Sequence, residues 1–110
     1  MTVEEIYEMV EAIGLPCTYY SFPEKEAPSL PYVVFYFPNS NNFPADDRVY
    51  AHITSLNIEL YTNEKSFEYE AAVESVLDLH GMVWEKSESY LNSEQMYEVL
   101  YEMEIIVNGE

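Results

Sequence analysis

Positive charge is nearly absent from this sequence. Lys25, Arg48, Lys65 and Lys86 are its only lysines and arginines, set against 21 aspartates and glutamates in 110 residues, and the formal net charge is −17. Wrapping a nucleic acid requires Lys and Arg to displace counterions from phosphates, so no sequence-specific nucleic-acid binding is expected. An anionic membrane leaflet would repel the chain for the same reason. Glycine is scarce too. Three glycines cannot build a phosphate-cradling loop, and neither GxGxxG nor GKT occurs. One cysteine, Cys17, cannot close an internal disulfide and fits a reducing compartment. The longest apolar stretch, Tyr32 to Phe37, is far too short to span a bilayer. No basic start followed by an apolar run marks a signal peptide. A soluble chain made in a cytoplasm is expected.

Chemistry is thinly supplied as well. His52 and His80 are the only histidines, and no HxxxH, CxxC or EF-hand spacing is present, so neither a metal site nor a cofactor is expected. Cys17 sits four residues after the first helical pattern, not at a helix start where a thiolate is favoured, and it has no obvious histidine partner. Carboxylates are so abundant that nominating an acid–base pair means nothing without geometry. No catalytic residue is read from the sequence, and an enzyme is not expected.

What the chain does have is aromatic and apolar mass. Nearly half its residues are apolar, including 11 Tyr, 5 Phe and 1 Trp, which argues for a packed core and against disorder despite the charge. The length fits one domain, residues 1–110. Thr2 and Glu5 form a capping box for a helix whose Val3, Ile6, Val10 and Ile13 recur at helical steps, ended by Gly14. "CTYYSF" (17–22) is β-rich, "PEKEAPSLP" (23–31) is a loop, and "YVVFYF" (32–37) reads as a strand buried on both faces. The ten residues Pro38 to Asp47 read as a polar loop holding one aromatic, Phe43.

Beyond that loop the pattern becomes regular. From Arg48 to about Thr62 the chain alternates, with Tyr50, His52, Thr54, Leu56, Ile58 and Leu60 on one face and Asn57 and Glu59 on the other. Ser66 caps a second helix with Tyr69, Ala72, Val73, Val76, Leu77 and His80 on one stripe and Glu68, Glu70, Glu74 and Asp78 elsewhere, ended by Gly81. His80 at the end of that stripe is read as structural, near the negative pole of the helix. "MVWEKSESYL" (82–91) is a strand anchored by Val83 and Trp84, and the odd positions from Tyr97 to Val107 give a last strand with one solvated face. The order α-β-β-β-α-β-β predicts an α+β fold. Its sheet is mainly antiparallel, with about four to five strands and two helices packed on one side.

The run "LPYVVFYF…NNFPADDRVY…LNIELYTNEKSFEYEAAVESVL…ESYLNSEQMYEVLYEMEI" resembles the small tail terminator (tail completion, or head–tail joining) proteins of long-tailed, non-contractile phages and prophages. The resemblance covers roughly residues 30 to 107 and rests on the order and spacing of short motifs. It implies a virion protein at the head-proximal end of the tail, present in the host cytoplasm during assembly. Such a protein forms a ring, typically a hexamer, that caps the tail tube, ends its polymerisation and receives the filled head. It implies three partners: other copies of the chain, the major tail tube protein and the head–tail connector proteins. It implies no catalytic residue.

Ring formation needs head-to-tail contacts that close. The loop Pro38 to Asp47 is long for a hairpin connection, so Phe43, Asp46, Asp47 and Arg48 form the candidate assembly interface. Some acids are expected to line the channel through which DNA leaves the head, where repulsion acts over about 8 Å at physiological salt. The competing expectation is a small acidic inhibitor that mimics DNA and occupies a basic cleft. Mimicry calls for ordered exposed stripes of acid. Here many acids alternate with apolar residues, as on an ordinary solvated face.

Overall fold

Three inward residues of one strand organise the molecule. In the computed structural model, which describes residues 1–23, 27–40, 42–45 and 48–107 (backbone alone over 43–45 and 48–51), Leu56, Ile58 and Leu60 are fully buried at the centre of a five-stranded sheet. They belong to β5 (Ile53–Thr62). The chain order is α1 (Val3–Glu11), β1 (Cys17–Tyr19), β2 (Tyr32–Tyr36), β3 (Phe43–Ala45), β4 (Arg48–Ala51), β5, α2 (Phe67–Leu79), β6 (Trp84–Leu91) and β7 (Met96–Ile106). The main sheet runs β1-β2-β5-β7-β6, and β3 and β4 form a separate two-stranded hairpin.

This is the expected α+β arrangement, with one parallel pair. β1 and β2 run parallel, with Cys17 opposite Val33 and Tyr19 opposite Phe35, whereas β2–β5, β5–β7 and β6–β7 are antiparallel. A parallel neighbour needs a return connection of about a dozen residues, and residues 20–31 provide that length.

The two helices lie on one face of the sheet. Ile6, Met9, Val10 and Ile13 of the α1 segment and Val73 and Leu77 of α2 close over Val33, Phe35, Leu56, Ile58, Leu60, Val99, Tyr101, Met103 and Ile105. Both helix starts are as read. The Glu5 amide donates to Thr2 Oγ1 (3.1 Å) while the Thr2 amide donates to Glu5 Oε1 (2.8 Å), and the Tyr69 amide donates to Ser66 Oγ (3.1 Å). Gly14 adopts φ +91°, the left-handed geometry that ends a helix without a Cβ penalty.

Several local readings change. The first β-rich run pairs only over residues 17–19. Val3, at the start of the helix, is 46% exposed, and the buried stripe is carried by Ile6, Met9 and Val10. Val83 does not anchor β6: it is 84% exposed, and Trp84 does the anchoring through an Nε1 bond to Asp78 (2.9 Å) and an edge contact on Tyr101. The alternating run 48–62 breaks at His52, which lies between β4 and β5 with its side chain exposed. Part of the polar loop is itself β-structure. Phe43, Pro44 and Ala45 pair with Ala51, Val49 and Arg48, and the register shifts between Phe43 and Pro44. Proline lacks an amide hydrogen and is tolerated in strands at such irregularities, which is why a proline-containing run did not read as a strand.

Candidate functional site

The candidate interface residues fall on the hairpin. Phe43 opens β3 opposite Ala51, and Arg48 opens β4 opposite Ala45. Asp46 and Asp47 lie outside the described residues. The root of the hairpin is stitched to the main sheet. Ser40 bridges to Thr54, the Ser55 amide (2.9 Å) and Thr54 Oγ1 (3.0 Å) donate to the Asn39 carbonyl, and Ser55 Oγ donates to Asn39 Oδ1 (2.7 Å). Beside this root an open, mainly apolar groove of about 320 Å³ is lined by Val3, Phe37, Ile53 and Val107, with Asn42 and His52 at its margin.

Among the described residues no helix packs on the sheet face opposite α1 and α2, which carries acids and tyrosines beside Val34 and Leu100. Alternation along β5 and β7 brings Glu59 opposite Leu100 and Tyr61 opposite Glu98. Tyr36 donates to Glu59 Oε2 (2.6 Å), the Tyr61 hydroxyl lies between Glu59 and Glu98 Oε2 (3.0 Å) with one proton to give, and Asn57 Nδ2 lies 3.4 Å from the Tyr36 hydroxyl. Burial, and then hydrogen bonding and charge from Glu59, push the Tyr61 phenol well above its ordinary value. Burial and the Glu59 charge also push the Glu98 carboxyl up.

A raised carboxyl stabilises the fold only below the carboxylate range, and the contribution is lost as pH rises through the raised value. Ionised Glu98 therefore costs stability at neutral pH. Glu98→Gln keeps an acceptor for Tyr61 and removes the charge. It should raise Tm at pH 7 by roughly 2–4 °C, which corresponds to about half a kcal/mol in a domain of this size, with the gain vanishing near pH 4. Differential scanning fluorimetry at both pH values checks this, and a gain independent of pH would rule out the proton linkage.

A second cluster ties α2 to β6. Glu70 lies on the face assigned to solvent by helical periodicity, yet it is only 3% exposed. Lys65 reaches both Glu70 and Glu88, and Lys86 reaches Glu70 (3.0 Å) and Glu74 (2.6 Å). Tyr101 donates to Glu74 Oε2 (2.8 Å). Burial opposes ionisation of Glu70, but hydrogen bonds and charge from Lys65 and Lys86 outweigh it and hold the carboxyl below its ordinary value. Half of the chain's four basic residues are thus engaged in one internal network.

His80 caps α2, and its Nδ1 lies 2.9 Å from the Val76 carbonyl, so the Nδ1-protonated tautomer donates there, as the structural reading expects. Burial, and then the nearby Glu11, push the Cys17 thiol up, away from thiolate chemistry. Among the described residues no group of three or more His, Cys, Asp or Glu is placed to hold a metal, and no helix is long and apolar enough to cross a membrane. No family model and no curated protein matches this chain.

Sequence reading missed two features here. The Glu59–Tyr61–Glu98 cluster was legible only in part, since alternation put these acids on one face but did not reveal which tyrosine meets which acid. The burial of Glu70 had no sequence signal beyond Lys65, five residues before it.

Proposed function

We propose that this chain is a structural subunit that caps the tail tube of a phage or prophage, ends its polymerisation and joins tail to head, acting as a ring of six copies. The observation that carries the reading is the β3–β4 hairpin. It lies outside the main sheet but is rooted firmly in it, within a molecule measuring 50 × 29 × 23 Å. A hairpin held at its root can reach a neighbouring subunit without disturbing the core. The motif order described above includes this segment, and the α+β architecture agrees with that resemblance.

In this reading the hairpin contacts the next copy or the tube, with Phe43, Asp46, Asp47 and Arg48 at the contact. Major tail tube protein and head–tail connector proteins are the partners. Phe43→Asp should leave the free chain folded, with an unchanged circular dichroism spectrum, and reduce its co-sedimentation with assembled tail tubes at least tenfold. Unchanged capping by electron microscopy would reject the hairpin as the contact. A ring with a neutral or basic lumen would reject a role for the acids in the channel.

One observation favours the second reading, a DNA mimic. Glu59, Glu85, Glu98, Glu102 and Glu104 share the sheet face opposite the helices, and no lysine or arginine of β5, β6 or β7 joins them there. Pull-downs against tail tube protein and against restriction or repair nucleases separate the two.

A further inference from the structure

β6 forms one margin of the main sheet. Its inner edge pairs with β7 along all eight residues, Trp84 opposite Met103 through Leu91 opposite Met96, and no described strand pairs with its outer edge. The other margin, β1, has only three residues. A long free edge is a template for another strand, and charged side chains along it normally serve to keep strands off. On β6 the charges are arranged so that one register is permitted and the neighbouring ones are not.

Two copies of one strand pairing antiparallel about a two-fold axis must place a residue on that axis, because only then do facing side chains lie on the same side of the sheet. An axis at Glu85 or Glu88 sets glutamate against glutamate, and an axis at Lys86 sets lysine against lysine. An axis at Ser89 shortens the overlap to residues 87–91 and puts Glu88 opposite Tyr90. An axis at Ser87 places Lys86 opposite Glu88 twice, Trp84 opposite Tyr90 twice and Glu85 opposite Ser89 twice. Opposite charges and aromatic pairs directly across a ladder are the favourable combinations, and like charges the unfavourable ones.

We propose that two copies of the chain associate through their β6 edges, antiparallel and centred on Ser87, into one continuous ten-stranded sheet. The side chains involved are already held in place. Trp84 is fixed by Asp78 and Tyr101, and the Tyr90 ring packs on Tyr97 with centroids 4.9 Å apart. The side chains of Lys86 and Glu88 remain 39% and 45% exposed while engaged with Glu74, Glu70 and Lys65, so each can also meet its counterpart across the axis. The contact is two-fold and closes on two copies. It is therefore distinct from the head-to-tail contacts a ring requires, and it stands or falls separately from the proposed function.

The test uses disulfide trapping with sedimentation. With Cys17→Ser removing the native thiol, Ser87→Cys brings two sulfurs together at the axis. Facing Cα atoms there lie about 4.5–5.5 Å apart, within disulfide range. Ser89→Cys is the control, since the two copies of that position lie about 13 Å apart along the strands. The unmodified chain should sediment as a dimer at about 100 µM. Under mild oxidation Ser87→Cys should form covalent dimer at least tenfold faster than Ser89→Cys. A monomer at that concentration, equal cross-linking at the two positions, or larger assemblies without trapping at position 87 would each overturn the proposal.

Discussion

Phe35→Ala is expected to cost about 3–5 kcal/mol, the usual range for removing a fully buried phenylalanine. Phe35 is completely buried on the helix-covered face of β2, opposite Ile58 of β5. Its ring takes an edge contact from Tyr7 at 4.8 Å and another from Tyr19 at 5.4 Å, so truncation removes both contacts as well as opening a cavity. Domains of this size have about 5–15 kcal/mol of stability in total. The variant should therefore unfold at a much lower urea concentration, with the slope of the transition unchanged. A loss below about 1 kcal/mol would show that α1 collapses onto the gap and that the core is less tightly specified than its burial implies.

The second large effect is expected at Glu70. Lys65→Met with Lys86→Met leaves a carboxylate that is 97% buried with neither of its cations. Removing the partner of a buried charge costs about 3–5 kcal/mol. The two lysines are themselves partly exposed, so about 2–3 kcal/mol is expected here. The pH dependence follows from the depressed carboxyl. The stabilisation it provides is present above the ordinary carboxylate range and is lost as pH falls through the lowered value. The double variant should therefore approach the parent in stability as the pH is lowered into that region. Adding Glu70→Met should recover most of the loss at pH 7. If the triple variant is no more stable than the double, the lysines act by packing alone.

Most of the fold was legible in the sequence, because it rests on periodicity and caps. Thr2 with Glu5 and Ser66 before Phe67 mark helix starts through short-range hydrogen bonds that depend on residue type and spacing alone. The alternation of Val99, Tyr101, Met103 and Ile105 with Glu98, Glu102 and Glu104 marks a strand with one wet face. Glu70 and Val83 read wrongly for one shared reason. Helical and strand periodicity assign faces to an isolated element, whereas burial depends on what packs against it. Lys65 and Lys86 meet Glu70 where α2 packs on the sheet, whereas Val83 stays exposed among the described residues. At the candidate site, Arg48 read correctly as the start of a strand, whereas Phe43 read as loop because Pro44 interrupts the strand pattern. Its tolerance at a register shift depends on the partner strand, which local sequence does not reveal.

The strand order also governs how fast the molecule can assemble itself. β6 and β7 meet across a four-residue turn, Asn92 to Gln95, but every other antiparallel pair in the main sheet joins distant segments. β5 must find β2 across the whole β3–β4 hairpin and β7 across α2 and β6. Contacts so far apart in sequence are reached only after costly loop closure, and domains dominated by them fold in milliseconds to seconds. The β6–β7 hairpin is the natural early nucleus, and α1 and β1 have little to dock on until β5 is in place. During synthesis β7 emerges after β1 to β6, so the central strand β5 has to wait for its longest partner.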